Sequence, residues 1–383
     1  MLGETLNQPI LRLVIYRSTS IGDVILATSC LNLLKKLNFP TEVYWVGKQP
    51  SLGLVTSAFP NIIPIEVKNV DGTSQKALKE LFPKAPHIIL DLQKTLRSKL
   101  ICANISKTFG AKVFSWRKDS IKRSSLIARA RVLGRSKPLP IAKLTPKKLQ
   151  YQMMLDGLRR ALESQLPSHM LDPIYESAPP KISIDCKMES QTWQKELRFG
   201  SWVAVAPGAT HASKQAPLQI FEESLKFFRD HLLSNAQEDK SHHVGLVFLG
   251  DEKERKLCVE LLDKLNWPFS TLNLAGKISL WESALALNEA EALICNDSAL
   301  AHISEAVNTP VTALFGPTIE SFGFAPHLTT SATFSSTIGC RPCSKHGKTP
   351  CRFEDYQCFK DINTRSIAKK LLELHKQNRD TLC

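Results

Sequence analysis

Four blocks of this sequence combine residue types suited to group-transfer chemistry with positions at the ends of apolar runs. The first is Ser18-Thr19-Ser20-Ile21-Gly22-Asp23, directly after the run at residues 10–16. Gly22 allows a phosphate or another chain to approach the backbone closely. Asp23 opens a helix-like stretch that continues over residues 24–37. An acid there either caps the helix or acts as a carboxylate that takes up a proton. The three-glycine spacing of a dinucleotide fingerprint is absent.

The second block is Ala206-Pro207-Gly208-Ala209-Thr210, followed by Lys214. A small-residue loop after a strand cradles phosphate through its amides. Thr210 adds a hydroxyl and Lys214 a compact cation; the plainer reading is a Pro-Gly turn beside a solvated lysine. The third block is the sharpest: Cys295-Asn296-Asp297-Ser298-Ala299-Leu300-Ala301-His302, then Thr309-Pro310 and Phe315-Gly316-Pro317-Thr318. A strand ending at Cys295 and a helix beginning near Ser298 leave the amides of Ser298 and Ala299 at a positive helix end, suited to a diphosphate. Ser298 and His302 are four apart and share a helix face. Asp297 is placed to accept hydrogen bonds from sugar hydroxyls. The alternative is an Asp cap and a satisfied core histidine. The fourth block, Gly250-Asp251-Glu252, follows another run; Glu252 either meets ribose hydroxyls or is a solvated loop acid. Leu274-Ala275-Gly276, with Glu282 on the next helix, is a further strand-end turn.

The elements that position these blocks follow a regular alternation. Apolar runs at residues 10–16, 43–46, 62–67, 87–92, 202–206, 244–249, 292–295 and 311–315 read as strands covered on both faces. Helix-like stretches between them predict parallel α/β units. A proline-bearing, aperiodic stretch at 171–197 marks a linker. The chain of 383 residues thus divides into an N-terminal Rossmann-like domain at 1–185 and a C-terminal one at 186–362. A helix and tail follow at 363–383. Ligands of such sheets sit at the carboxyl ends of the strands, and two such domains face to face form a cleft.

Charge is unevenly spread. Residues 94–148 hold sixteen lysines and arginines against one acid, Asp119, while the whole chain carries +14. A concentrated cationic window points to a polyanionic partner. Only Phe109, Phe114 and Trp116 are aromatic within it, too few to interleave with bases, which argues against nucleic acid. From Lys112 onward this window is poor in strand signals, and reads as helical or as a mobile excursion. No run approaches the ~18 apolar residues of a membrane span. Residues 1–9 lack a basic-then-apolar leader, so the expectation is a cytoplasmic protein with reduced cysteines. Cys340, Cys343, Cys351 and Cys358, spaced C-x2-C-x7-C-x6-C, fit zinc or an iron–sulfur centre, reduced structural thiols, or a disulfide.

Taken together, Ile21-Gly22-Asp23, Pro207-Gly208-Ala209 with Lys214, Leu274-Ala275-Gly276, and Asn296-Asp297-Ser298 through His302 to Phe315-Gly316-Pro317-Thr318 resemble the heptosyltransferases of lipopolysaccharide synthesis. These are the ADP-heptose-using glycosyltransferases of family 9. The blocks stand in the family's order and cover most of the chain. The resemblance implies a GT-B α/β architecture: two Rossmann-like domains with parallel sheets facing a central cleft. It implies inverting transfer of a heptose or related sugar from an ADP-sugar to the inner core of lipopolysaccharide. No cofactor is implied, and no metal for the chemistry. Asp23 occupies the place of the proposed general base. Gly22, Thr210, Lys214, Glu252, Asp297, Ser298, Ala299 and His302 fall where the nucleotide sugar is held, and Lys94 and Arg97 where a basic residue meets the acidic acceptor. The family usually has Gly where this chain has Ala299, which bears on the donor. The basic window is expected to serve the acceptor and the inner face of the cytoplasmic membrane. Alternatives are another nucleotide sugar used for another surface glycan, and a non-catalytic relative that only binds a sugar nucleotide.

Overall fold

A computed structural model describes residues 10–37, 39–135, 137–140, 145–167, 170, 172–184, 192–196, 201–235 and 243–382. The expected domain boundary between 185 and 186, part of the 171–197 linker, and residues 1–9 lie outside the described residues.

The elements run in chain order as β1 (Leu11–Tyr16), α1 (Ile21–Leu34), β2 (Thr41–Gly47), α2 (Ser51–Ala58), β3 (Ile63–Glu66), α3 (Val67–Val70), α4 (Gln75–Leu81), β4 (Ile88–Asp91), α5 (Leu96–Phe109), β5 (Lys112–Ser115), α6 (Ser120–Leu133) and α7 (Gln150–Glu163). The second set is β6 (Trp202–Ala206), α8 (Leu218–Asn235), β7 (Gly245–Phe248), α9 (Arg255–Leu265), β8 (Thr271–Asn273), α10 (Leu280–Glu289), β9 (Ala292–Asn296), α11 (Ala299–Ala306), β10 (Val311–Phe315), β11 (Ala332–Ser335), α12 (Gln357–Lys360) and α13 (Thr364–Leu382).

They build two parallel sheets, ordered β3-β2-β1-β4-β5 and β11-β10-β9-β6-β7-β8. Central strands are buried on both faces: Leu13, Val14 and Ile15 in β1, and Ala204 and Val205 in β6, are fully covered. This explains why they appear in the sequence as unbroken apolar runs rather than alternating ones. All eight strands read from such runs are present. The three not read, β5, β8 and β11, are all edge strands.

The order of each sheet fixes where ligands go. The chain builds outward from β1 to β2 and β3, then returns to β4 on β1's other side. The second sheet diverges in the same way between β6 and β9. At such a switch point, the loops leaving two adjacent strands part and open a crevice at the carboxyl edge. Asp23 and Lys94 follow β1 and β4; Lys214 and Asp297 follow β6 and β9.

The chain divides into two compact units, Met1–Lys118 with Gln150–Ser183, and Asp119–Leu149 with Ile184–Cys383. Most of the basic window beyond Lys118 therefore belongs to the second unit, although it lies in the first half of the sequence. Packing supplies the reason. Ile127 of α6 and Leu139 bury with Ile319 and Phe322. The Arg123 guanidinium donates to the Phe322 carbonyl at 2.7 Å and lies over the Phe322 and Phe324 rings. The segment 119–133, expected as helix or excursion, is a docked helix. The terminal helix is likewise no separate appendage. Ile367, Leu371 and Leu374 of α13, at i, i+4 and i+7, enter the second core beside Phe221 and Phe228 of α8. Burial of each such side chain contributes about 1.5–3 kcal/mol.

Candidate active site

In the first unit, Asp23 is the third residue of α1 and is partly exposed. Its Oδ2 accepts hydrogen bonds from the Ser20 hydroxyl at 3.0 Å and the Ser20 amide at 3.4 Å. The Arg17 guanidinium pairs with the same oxygen at 2.5 Å. The residue does cap the helix, and the same contacts fix its carboxylate at the carboxyl edge of β1. Gly22 is buried beside it. Arg17, which follows β1, was not singled out in the sequence; it is buried, and it also donates to the Leu92 carbonyl.

The loop after β4 is held by Asp91. Its Oδ1 accepts from the amides of Gln93 and Lys94, and its Oδ2 from the Ser98 hydroxyl. Gln93 then bridges to the β1 loop through the Ser18 and Thr19 amides. Lys94 donates to the Trp116 carbonyl at 3.0 Å. Arg97 lies farther along, well exposed, paired with Asp71 at 2.6 Å. A further cation joins the group: Lys118 donates to the Gln93 carbonyl and lies over the Trp116 ring. Burial, then the nearby Arg17 charge, lowers its pKa to about 8, with Asp23 and Asp91 opposing. The sequence places Lys118 only within the cationic window expected to serve the acceptor and membrane, not beside Asp23.

In the second unit the geometry is tighter. Asn296, fully buried at the end of β9, donates to the carbonyls of Pro207 and Gly208 and accepts from the Ala216 amide. One side chain thus locks the small-residue loop after β6 against β9. The Lys214 ammonium meets the Asp297 carboxylate at 2.6 Å and the Asp297 carbonyl at 3.2 Å. The Thr318 hydroxyl donates to the same carboxylate at 2.6 Å. Burial would raise the Asp297 pKa, but Lys214 and Thr318 outweigh it and hold the carboxyl below its ordinary range. Asp297 is directed at Lys214 and Thr318, so it orients the lysine.

Ser298 caps α11, and its hydroxyl is buried with no protein partner. Ala299 is the first residue of the helix. His302 lies one turn on, buried, with its ring 6.0 Å from Phe324, and its charge contributes to lowering the Asp297 pKa. Thr210 is exposed in the same loop system as Lys214. Gly208 lets the Glu254 carboxyl pack close: a methyl group there would stand 2.2 Å from its carboxyl carbon and displace that side chain.

That contact brings forward a residue the sequence did not single out. Glu254 is half-buried against Gly208 and Gly250 and accepts from the Asp251 amide; burial raises its pKa. Glu252, two residues earlier, is largely exposed, loosely paired with Arg255 at 3.5 Å, and lies against Gly276.

Behind this site runs the cysteine-bearing loop. The Arg341 guanidinium is fully buried and donates to the carbonyls of Gly316, Ser336 and Thr318. Ser213 donates to the Gly347 carbonyl. Cys340, Cys343, Cys351 and Cys358 line one small cavity, with Cys340 and Cys343 in hydrogen-bond contact. Among the described residues, no group of three or more His, Cys, Asp or Glu side chains is arranged to hold a metal ion. The fold nevertheless gathers all four cysteines of the C-x2-C-x7-C-x6-C stretch around that one cavity, as reduced thiols.

The lysine–aspartate pair and the start of α11 thus stand at the switch point of one sheet, and the fixed Asp23 carboxylate at that of the other. The family model for glycosyltransferase family 9 (heptosyltransferase) matches residues 76–356. This chain belongs to glycosyltransferase family 9. It is 27% identical over 288 residues to lipopolysaccharide heptosyltransferase 2 of Salmonella typhimurium, covering 74% of each chain. It has the fold of the family 9 glycosyl transferase of Veillonella parvula, with a TM-score of 0.66 and 17% identity over 96% of this chain and 98% of that one. E. coli ADP-heptose lipopolysaccharide heptosyltransferase II aligns with a TM-score of 0.60 at 19% identity, over 96% and 99%. The family 9 chain thus has the GT-B fold, two parallel-sheet α/β domains. No helix among its described residues is long and apolar enough to cross a membrane.

Proposed function

We propose that this family 9 glycosyltransferase transfers heptose, with inversion, from ADP-heptose to the inner core of lipopolysaccharide. The observation that carries the reading is the Lys214–Asp297–Thr318 arrangement beside the start of α11. Asp297 uses two of the three N–H donors of Lys214, which leaves one for a phosphate oxygen of the donor. The Ser298 hydroxyl and the first amides of α11 supply further donors at a positive helix end. Negative charge grows on the departing diphosphate, and fixed donors and a fixed cation stabilise it without reorganisation. This arrangement supports departure without a metal ion.

Asp23 takes the acceptor proton as the acceptor oxygen attacks the anomeric carbon. Arg17 and Ser20 hold its carboxylate in place. Lys94, Arg97 and Lys118 supply cations for an acidic acceptor. Thr210, Glu252 and His302 complete the donor site, with Glu254 beside them. The enzyme works in the cytoplasm, at the inner face of the membrane. Ala299, where the family usually has Gly, adds a methyl group at the helix start and favours a second reading, transfer of a related sugar. Mass spectrometry of truncated lipopolysaccharide incubated with the enzyme and a panel of nucleotide sugars tests both. A heptose mass increment with ADP-heptose is expected. An increment only with another donor would favour the second reading, and none with any donor would leave a binding protein.

A further inference from the structure

A groove of about 590 Å³ in the second unit, lined by neither Lys214 nor Asp297, lies between α6 and the loop at 343–349. The helix presents Ser124, Ile127, Ala128, Arg131 and Val132 to it. These are spaced i, i+3, i+4, i+7 and i+8 and so form one helix face. Lys345, His346 and Lys348 line the opposite wall, and no acidic residue lines the groove. Among the described residues, no carboxylate pairs with Arg131, Lys345 or Lys348.

A second observation is the exposure of apolar residues along the same helix. Ile121 is 88% exposed and Val132 is 85% exposed. With Ala128 they fall within ~40° of one another at 100° per residue, a stripe roughly 16 Å long. Lys122 and Arg129 flank that stripe on one side and Arg131 on the other. Arg123 is not among them, because Phe322 and Phe324 hold it against the body of the unit. An exposed apolar stripe bordered by cations is the pattern of a helix lying in a membrane interface.

We infer that α6 and the 343–349 loop form a docking surface for an anionic bilayer. Ile121 and Val132 enter the headgroup boundary, and Arg131, Lys345 and Lys348 hold a lipid phosphate in the groove. Charge complementarity and the apolar stripe select a lipid over a nucleic acid, which offers no apolar phase. The inference deepens the membrane association proposed above and gives it a location.

The test uses the full-length protein and vesicles of phosphatidylcholine, alone or mixed in equal parts with phosphatidylglycerol. Binding is expected only to the mixed vesicles. Arg131→Gln with Lys345→Gln should weaken it roughly 30-fold, from about 1 kcal/mol per charge near an anionic surface and 1.4 kcal/mol per tenfold. Ile121→Asn with Val132→Asn should weaken it at least tenfold while leaving net charge unchanged. Lys99→Gln with Lys107→Gln, which removes two exposed charges from α5, should leave it nearly intact. Equal losses in the α5 and groove variants would overturn the site in favour of overall charge. So would groove variants that lose affinity for inorganic phosphate or RNA but keep vesicle binding. Turnover on a water-soluble truncated acceptor separates this from the functional reading. It should be unchanged in the groove variants. A parent protein without transferase activity but with groove-dependent vesicle binding would sink the function and leave the surface standing.

Discussion

Lys214→Ala tests the most consequential pair in the donor site. The ammonium and the Asp297 carboxylate are 2.6 Å apart, with side chains only 17% and 7% exposed. Removing the lysine leaves a buried carboxylate with the Thr318 hydroxyl as its remaining strong partner. Breaking a buried pair from one side costs about 3–5 kcal/mol. The surviving Thr318 bond and the residual exposure of Lys214 put this case near about 3 kcal/mol. For a unit of this size, that is a fall of roughly 6–12 °C in its unfolding temperature. The pH dependence carries a sign. In the parent, Asp297 sits below its ordinary pKa because Lys214 and Thr318 outweigh burial. It therefore stabilises the fold above the unfolded carboxyl pKa, about 3.9, and that contribution fades as pH falls through the folded value. Without Lys214 burial dominates and the folded pKa rises above the unfolded one. The penalty is then largest near neutrality and shrinks toward about pH 4. Calorimetric scans across that range measure it, and Asp297→Asn in the Lys214→Ala background should recover most of the loss. A deficit that is below about 1 kcal/mol, insensitive to pH, or not rescued by the asparagine would refute the argument, because surface pairs behave that way.

Other expectations follow from the same geometry. Asp23→Asn should cut turnover by at least ~100-fold, the usual worth of a general base, with donor affinity unchanged in calorimetry; near-normal turnover would leave the residue a cap only. Among the cysteines of the described residues, Cys340 should alkylate first at neutral pH. Its hydrogen bond with Cys343, aided by Arg135, overcomes burial and lowers its pKa to about 6, whereas burial pushes Cys30 and Cys258 up to about 12. Peptide mapping after brief iodoacetamide treatment reads the order, and labelling of Cys258 first would contradict it. Gly316→Ala places a methyl group 2.2 Å from the fully buried Phe359 ring. Overpacking of this kind costs about 1–3 kcal/mol, so a thermal scan that matches the parent would show that the ring yields freely.

Much of the architecture was legible because burial on both faces of a parallel sheet writes itself as an apolar run. Runs at 202–206 and 311–315 coincide with β6 and β10 to the residue. The edge strands did not announce themselves. β5 begins Lys112-Val113 with both residues exposed, and β8 has three residues. A strand covered on one side is under weaker pressure to be apolar throughout. The strand-end blocks also placed Asp23, Lys214, Asp297, Ser298 and His302, since helix starts and small-residue loops are local features.

What the sequence by itself determined was the inventory of parallel units and the chemistry available at their carboxyl ends. Tertiary structure alone decided which of those groups meet. Lys214 and Asp297 are 83 positions apart, and only the adjacency of β6 and β9 makes them a pair. Glu252 and Glu254 are two residues apart in one turn, yet only Glu254 packs on Gly208. The helix at 120–133 has an exposed cationic side legible from composition. Its place in the second unit depends on Arg123 and Ile127 reaching Phe322, about two hundred residues away. Local pattern is set by periodicity and propensity, which neighbouring residues carry. Partnership across the chain is set by strand order and side-chain packing, and no short stretch of sequence holds either.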